Sequence, residues 1–145
     1  MIRLEDVNPD NWRLELHVRE DQKKFVANTT VLPARAYAYR NARSRALVIN
    51  DDETPVGMAL YYDYEPAHAY NFSQLLIDER YQRKGFGYQA AQLILREMQD
   101  DGVYNKVILC YIDGDEPAKQ LYCKLGFRHT GDDEEGEIVM EKRLR

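Results

Sequence analysis

The stretch Leu75-Leu76-Ile77-Asp78-Glu79-Arg80-Tyr81-Gln82-Arg83-Lys84-Gly85-Phe86-Gly87-Tyr88 limits the possible folds more than any other part of the chain. Leu75 to Ile77 close a buried strand, and the charged residues that follow cannot carry it further into a core. Gly85 and Gly87, one residue apart, lead into a helical run. In that run Ala91, Ile94, Leu95 and Met98 share one face, and Gly102 stops it. A strand, a glycine-bearing loop and a helix in this order leave backbone N–H groups free at the positive end of a helix dipole. That is an anion site, most naturally for a pyrophosphate. Arg80, Arg83 and Lys84 add positive charge nearby.

A chain of 145 residues is expected to form one domain, residues 1–145, with a core of its own. No apolar run approaches a membrane span and no signal peptide opens the chain, so the expectation is a cytoplasmic protein without a membrane partner. Cys110 and Cys123 fall in a predicted strand and a predicted helix. They lack metal-ligand spacing and are expected to be reduced thiols, with no metal site. The net charge of −5 argues against nucleic acid as a partner and is compatible with a cationic substrate.

The elements are predicted in the order β-α-α-β-β-β-α-β-α-β-β. Ile2 and Leu4 point one way on a first strand. Asn8-Pro9 caps and starts a first helix, with Trp12, Leu16 and Phe25 on its buried side, and Asn28-Thr29-Thr30 breaks it. A second helix covers Pro33 to Arg40. Ala46 to Asn50 and Val56 to Tyr62 form a hairpin, Tyr70 to Ile77 is the strand feeding the glycine loop, and Lys106 to Ile112 is another strand. A helix over Ala118 to Leu125 ends at Gly126, and a hairpin through the acidic turn Asp132-Asp133-Glu134-Glu135-Gly136 completes the chain. The predicted class is α/β: one mixed, mainly antiparallel sheet flanked by helices.

The glycine loop fits three patterns unequally. A P-loop needs Lys-Ser/Thr after its last glycine, which Phe86-Gly87-Tyr88 lacks. Gly85 to Ala90 matches a dinucleotide fingerprint, but the expected acid, Asp113, comes too late and too few βα units surround the loop. Gln82-x-x-Gly85-x-Gly87, after a short strand and before a long helix, resembles the coenzyme A loop of the GNAT superfamily of N-acyltransferases. A second motif, Asp115-x-x-Ala118-x-x-x-Tyr122-x-x-x-Gly126-Phe127, resembles that superfamily's Asn-x-x-Ala-x-x-x-Tyr-x-x-x-Gly-Phe and lies at the expected distance. Asp115 replaces the usual Asn. It caps a helix as well, but an ionised Asp donates no hydrogen bond to a coenzyme.

The resemblance implies an acetyl-CoA-dependent N-acetyltransferase in which Leu75, Leu76 and Ile77 pair through their backbone with the pantetheine arm. It implies that Arg83, Lys84, Gly85, Phe86, Gly87 and Tyr88 wrap the pyrophosphate, that Gln82, Asp115 and Ala118 also bind the coenzyme, and that the chain forms a homodimer. Tyr122 resembles the general acid that protonates the departing thiolate. A phenol of reference pKa near 10 suits a thiol near 8.5. The other reading is a helix aromatic packed on Phe127.

The acceptor amine must attack in its neutral form. Some superfamily members keep a Glu where this chain has about Asn71, so no base carries over. Glu79, Glu65, His17 and His68 are candidates, and the base stays unassigned. Within the superfamily the chain most resembles bacterial diamine and polyamine acetyltransferases, at Leu16-His17-Val18 with Gln22, Phe25 and Val26, and at Ile77 to Gln82. That makes a small amine such as spermidine or spermine the expected substrate, with His17, Asp63, Glu65, Glu134 and Glu135 as candidate ligands. An acidic pair carried by spermidine-type relatives before the strand end is Ser73 and Gln74 here. A protein N-terminus or an aminoglycoside as acceptor, or a non-catalytic acyl-CoA sensor, are the alternatives.

Overall fold

The computed structural model describes residues 1–23 and 29–145. Among them one seven-stranded sheet runs in the order β1-β2-β3-β4-β5-β7-β6. The strands are β1 (Ile2–Asp6), β2 (Arg45–Asp51), β3 (Thr54–Tyr64), β4 (Ala69–Ile77), β5 (Lys106–Ile112), β6 (Arg128–His129) and β7 (Glu137–Arg143). Three α-helices accompany them: α1 (Val31–Ala38), α2 (Phe86–Asp101) and α3 (Glu116–Lys124). Every neighbouring pair is antiparallel except β4 and β5, which α2 joins in parallel.

That parallel pair is short. It comprises Tyr70 opposite Val107 and Asn71 opposite Ile108, after which the strands part. The cause is local. Tyr61 stands opposite Phe72 and Leu60 opposite Gln74, so Ser73 is one residue too many on β4. An extra residue of this kind bends its strand and increases the twist. β4 continues to pair with β3 as far as Ile77, while its other edge has no strand beyond Asn71 among the described residues. Gly57 permits the tight β3–β4 approach, because a Cβ there would lie 2.4 Å from the Leu76 carbonyl oxygen.

The sheet is buried on both faces. On one, Ala90, Ala91, Ile94, Leu95 and Met98 of α2 pack against Ala59, Tyr61, Tyr70 and Phe72. On the other, Leu32 of α1 and Leu16 pack against Met58, Leu60, Tyr62 and Leu76. Gly102 ends α2 in the left-handed conformation at φ 72°, its N–H donating to the Met98 carbonyl.

The expected first helix is corrected. Asn8 does cap a turn, its Oδ1 accepting from the N–H groups of Asp10 and Asn11. No α-helix follows among residues 8–23, which hold one turn, an extended segment and a 3₁₀ turn at Glu20–Gln22. Leu14, Leu16 and Val18 instead alternate along extended chain and pack on the α1 face of the sheet. Trp12, placed on the buried side by the helical reading, is 53% exposed, whereas Leu16 is 9% exposed. Phe25, Val26 and Asn28, which also entered that reading, lie outside the described residues.

Candidate active site

The parting of β4 and β5 opens a gap through the sheet. A cleft of about 390 Å³ lies on one side of it, lined by the end of β4, the glycine loop and α3. A smaller cavity of about 100 Å³ lies between the strands themselves, lined by Ser73, Gln74, Cys110, Tyr111 and Ile112. The two share Leu75, Leu76, Asp115, Ala118 and Tyr122, which therefore stand at their junction.

The floor of the glycine loop is Asp78, fully buried. Its carboxylate accepts from the His17 N–H at 2.9 Å, from the Arg80 N–H at 2.9 Å and from the Arg80 guanidinium at 2.9 Å. Burial alone would raise this carboxyl. The Arg80 guanidinium and the two N–H groups outweigh it and hold the pKa at about 2. Arg80 thus spends its charge on Asp78 rather than on a ligand. Arg83 and Lys84 are exposed and have no carboxylate partner among the described residues.

The loop reaches α2 through Arg83 at φ 64° and Gly85 at φ 79°. No side chain caps the helix, and the N–H groups of Phe86, Gly87 and Tyr88 have no acceptor among the described residues. A Cβ at Gly87 would sit 3.6 Å from Ile77 and 3.8 Å from Leu121, in ordinary contact. Packing does not demand a glycine there, and its missing side chain leaves the backbone open to the cleft. The Gln82 side chain braces the loop by donating to the Ile77 carbonyl at 3.0 Å.

Asp115 caps α3, its Oδ1 accepting from the Ala118 N–H at 3.3 Å. Burial raises its carboxyl, and the Ala118 N–H opposes that rise. Tyr122, two turns further along α3, packs edge-on against Phe72 and Phe127, with ring centroids 6.4 Å and 5.8 Å away. The ring is thus packed on Phe127, as one sequence reading expects, while the hydroxyl stands at the gap. That hydroxyl makes no hydrogen bond to the described residues, yet no buried side-chain polar atom is left without a partner, so the hydroxyl opens on the cavities. Burial raises the phenol well above its ordinary range, and the Asp115 carboxylate and the Cys110 thiol push the same way.

The expected coenzyme residues Leu75, Leu76, Ile77, Gln82, Arg83, Gly85, Phe86, Gly87, Tyr88, Asp115 and Ala118 all line the larger cleft. Lys84, also expected there, does not. Val18, Arg19, Gln22, Tyr81, Pro117, Leu121 and Lys124 complete the lining and were not anticipated. The first three sit on the extended segment and 3₁₀ turn misread as a helix.

The expected acceptor residues are scattered. Asp63 is held by Arg43, Nε to Oδ2 at 2.6 Å, in a network with Asp101 and Tyr70 near the start of β4. Glu65 accepts from the Tyr104 hydroxyl and lies beside His68. These residues stand at the far end of β4 from Leu75, roughly 20 Å away at strand rise. His17 contributes its backbone to the loop, while its ring is exposed and outside both cavities. Glu79 likewise bonds through its backbone, its N–H donating to the His17 carbonyl. Glu134 and Glu135 are exposed on the β6–β7 turn, which the Asp113 N–H holds beside the β5 end through the Gly136 carbonyl at 2.7 Å.

Comparison with known proteins agrees with this fold. The chain is 28% identical over 99% of both lengths to the spermine/spermidine N(1)-acetyltransferase of Bacillus subtilis. The spermidine N-acetyltransferase of Vibrio cholerae, solved with CoA and spermine, superposes with a TM-score of 0.74 at 17% identity, covering 97% of this chain and 92% of that one. The ribosomal-protein-S18-alanine N-acetyltransferase of Escherichia coli superposes with a TM-score of 0.75 at 17% identity, covering 99% and 94%. These two superpositions show the fold alone. The acetyltransferase (GNAT) family profile matches residues 8–127. The chain therefore belongs to the GNAT family of acetyltransferases, enzymes that take their acetyl group from acetyl-CoA.

Proposed function

We propose that the chain, acting as one domain over residues 1–145, transfers acetyl directly from acetyl-CoA to a primary amine, with Tyr122 as the proton donor. The observation that carries this reading is the Tyr122 hydroxyl, free of hydrogen-bond partners among the described residues at the junction of the two cavities. The residues present fit the coenzyme. Arg83, Lys84 and the N–H groups of Phe86, Gly87 and Tyr88 would hold the pyrophosphate. The unpaired edge of β4 at Leu75 and Leu76 would take the pantetheine amides. When bound, acetyl-CoA supplies an activated acyl carbon. Tyr122, kept protonated by its burial, would give its proton to the departing sulfur, and the proton released by the acceptor nitrogen as the amide forms would restore the phenol. The raised pKa keeps the hydroxyl protonated near neutral pH but makes it a weaker acid, so the proton moves only as negative charge builds on the sulfur. Release of free thiol with a panel of amines tests the reading. Release with none of them, despite bound acetyl-CoA, contradicts it.

A spermine- or spermidine-like acceptor is supported by the named relatives and by the acidic β6–β7 turn beside the gap. On that reading, replacing Glu134 and Glu135 with Gln raises KM for spermidine more than it alters kcat, and salt weakens the preference for polyamines. One observation, the placement of Arg35, favours a different acceptor. A cytoplasmic homodimer is supported by the family resemblance.

A further inference from the structure

Where β4 leaves β5, the bulged residue Ser73 lines the smaller cavity together with Cys110 and Tyr122. Arg35, in the middle of α1, reaches this point, and its Nη1 donates to Ser73 Oγ at 3.2 Å. A guanidinium carries five N–H donors. Arg35 is half-buried, makes this one hydrogen bond among the described residues, and has no carboxylate within ion-pair distance. Three arginines on the neighbouring strands and loops are, by contrast, held by carboxylates: Arg43 by Asp63 and Asp101, Arg45 by Glu97 and Asp6, Arg80 by Asp78.

The charge of Arg35 is felt at the gap. The Cys110 thiol is raised first by loss of solvent and then by the Glu137 carboxylate, while the Arg35 guanidinium opposes both. Glu137 stands opposite Ile112 on β7, and Ile112 lines the same cavity. Cys110, which lines the gap, thus has a cation near it on the β4 side, held to Ser73, and an exposed carboxylate near it on the β7 side. A bare polyamine would bring positive charge against Arg35. A molecule with both signs of charge would satisfy both flanks, and a guanidinium with open donors matches the planar, bidentate geometry of a carboxylate.

Building on the transfer reading above, we propose that the acceptor is an amine that also carries a carboxylate, as a free amino acid does. Arg35 holds the carboxylate, and the amine enters the gap toward Tyr122.

Matched acceptors test this on the wild-type protein. Lysine and 1,5-diaminopentane differ by one carboxylate, as do alanine and ethylamine, so one pair probes a distal amine and the other an α-amine. Within at least one pair, the carboxylate-bearing member should show a kcat/KM roughly 10- to 100-fold higher, the range of a charge-assisted hydrogen bond. Arg35→Gln should erase that advantage through KM, with kcat and acetyl-CoA affinity unchanged, and Arg35→Lys should restore part of it. The proposal is overturned if each plain amine serves as well as its partner, if the preference survives Arg35→Gln, or if none of the four is acetylated while spermidine is. Failure to bind acetyl-CoA, or absence of thiol release with spermidine as well as all four, contradicts the transfer reading itself.

Discussion

Asn71 is the last residue of β4 to pair with β5, and its partner is Ile108. From that pair onward the two strands diverge, and Tyr122 stands over the space they leave. The bulge at Ser73 and the close β3–β4 approach at Gly57 set this geometry.

Gly57→Ala should therefore be costly. The added methyl would lie 2.4 Å from the Leu76 carbonyl and 2.8 Å from the Ile77 side chain. Strain of this kind costs about 1–3 kcal/mol, and the displaced end of β4 should also weaken acetyl-CoA binding. Urea denaturation and calorimetry measure the two effects. A stability and an affinity equal to wild type would show that the approach is not tight.

Gly87 should behave in the opposite way. A Cβ there meets only ordinary contacts, so Gly87→Ala and Gly87→Glu should both fold with a near-normal melting temperature. The glutamate places bulk and negative charge where the pyrophosphate is expected, and coenzyme A binding should be lost. Calorimetry with coenzyme A decides, and undiminished binding by Gly87→Glu would remove the glycine loop from the site.

Asp78→Asn should destabilise the fold by about 1–3 kcal/mol, because it unpairs the Arg80 guanidinium and loosens the tie to the His17 N–H. The sign of its pH dependence follows from a folded pKa of about 2 against a reference of 3.8. The carboxylate contributes in full above pH 4, and its advantage fades as pH falls toward 2. Urea melts of both proteins between pH 7 and 3 should show the gap narrowing only at the acid end. A gap independent of pH would mean that the ion pair contributes nothing.

Much of this was legible in the sequence. The Leu75–Gly87 stretch and the Asp115–Phe127 motif carry their roles in local chemistry, namely free N–H groups, a helix cap and an aromatic at helical spacing. The misread segment had a genuine start signal at Asn8-Pro9. The alternation of Leu14, Leu16 and Val18 outweighs it once Asp78, 61 residues away, takes the His17 N–H. Carboxylates were harder to place. Asp63 looks available in the sequence, and only the fold brings Arg43 against it. Arg35 escaped notice for the converse reason, since its contact with Ser73 spans 38 residues.

The phenol of Tyr122 is raised by burial, so its proton should not limit the rate on the alkaline side of neutrality. Between pH 9 and 11, kcat should show no decline that Tyr122→Phe abolishes. Such a decline would place the phenol near its ordinary pKa and contradict its burial.

The most direct measurement is the rate of acetyl transfer by Tyr122→Phe at saturating acetyl-CoA, under conditions where chemistry limits turnover. If Tyr122 donates the proton to the departing sulfur, kcat should fall by on the order of 10²–10⁴-fold while acetyl-CoA affinity and melting temperature stay close to wild type. A variant with unchanged kcat would contradict the assignment.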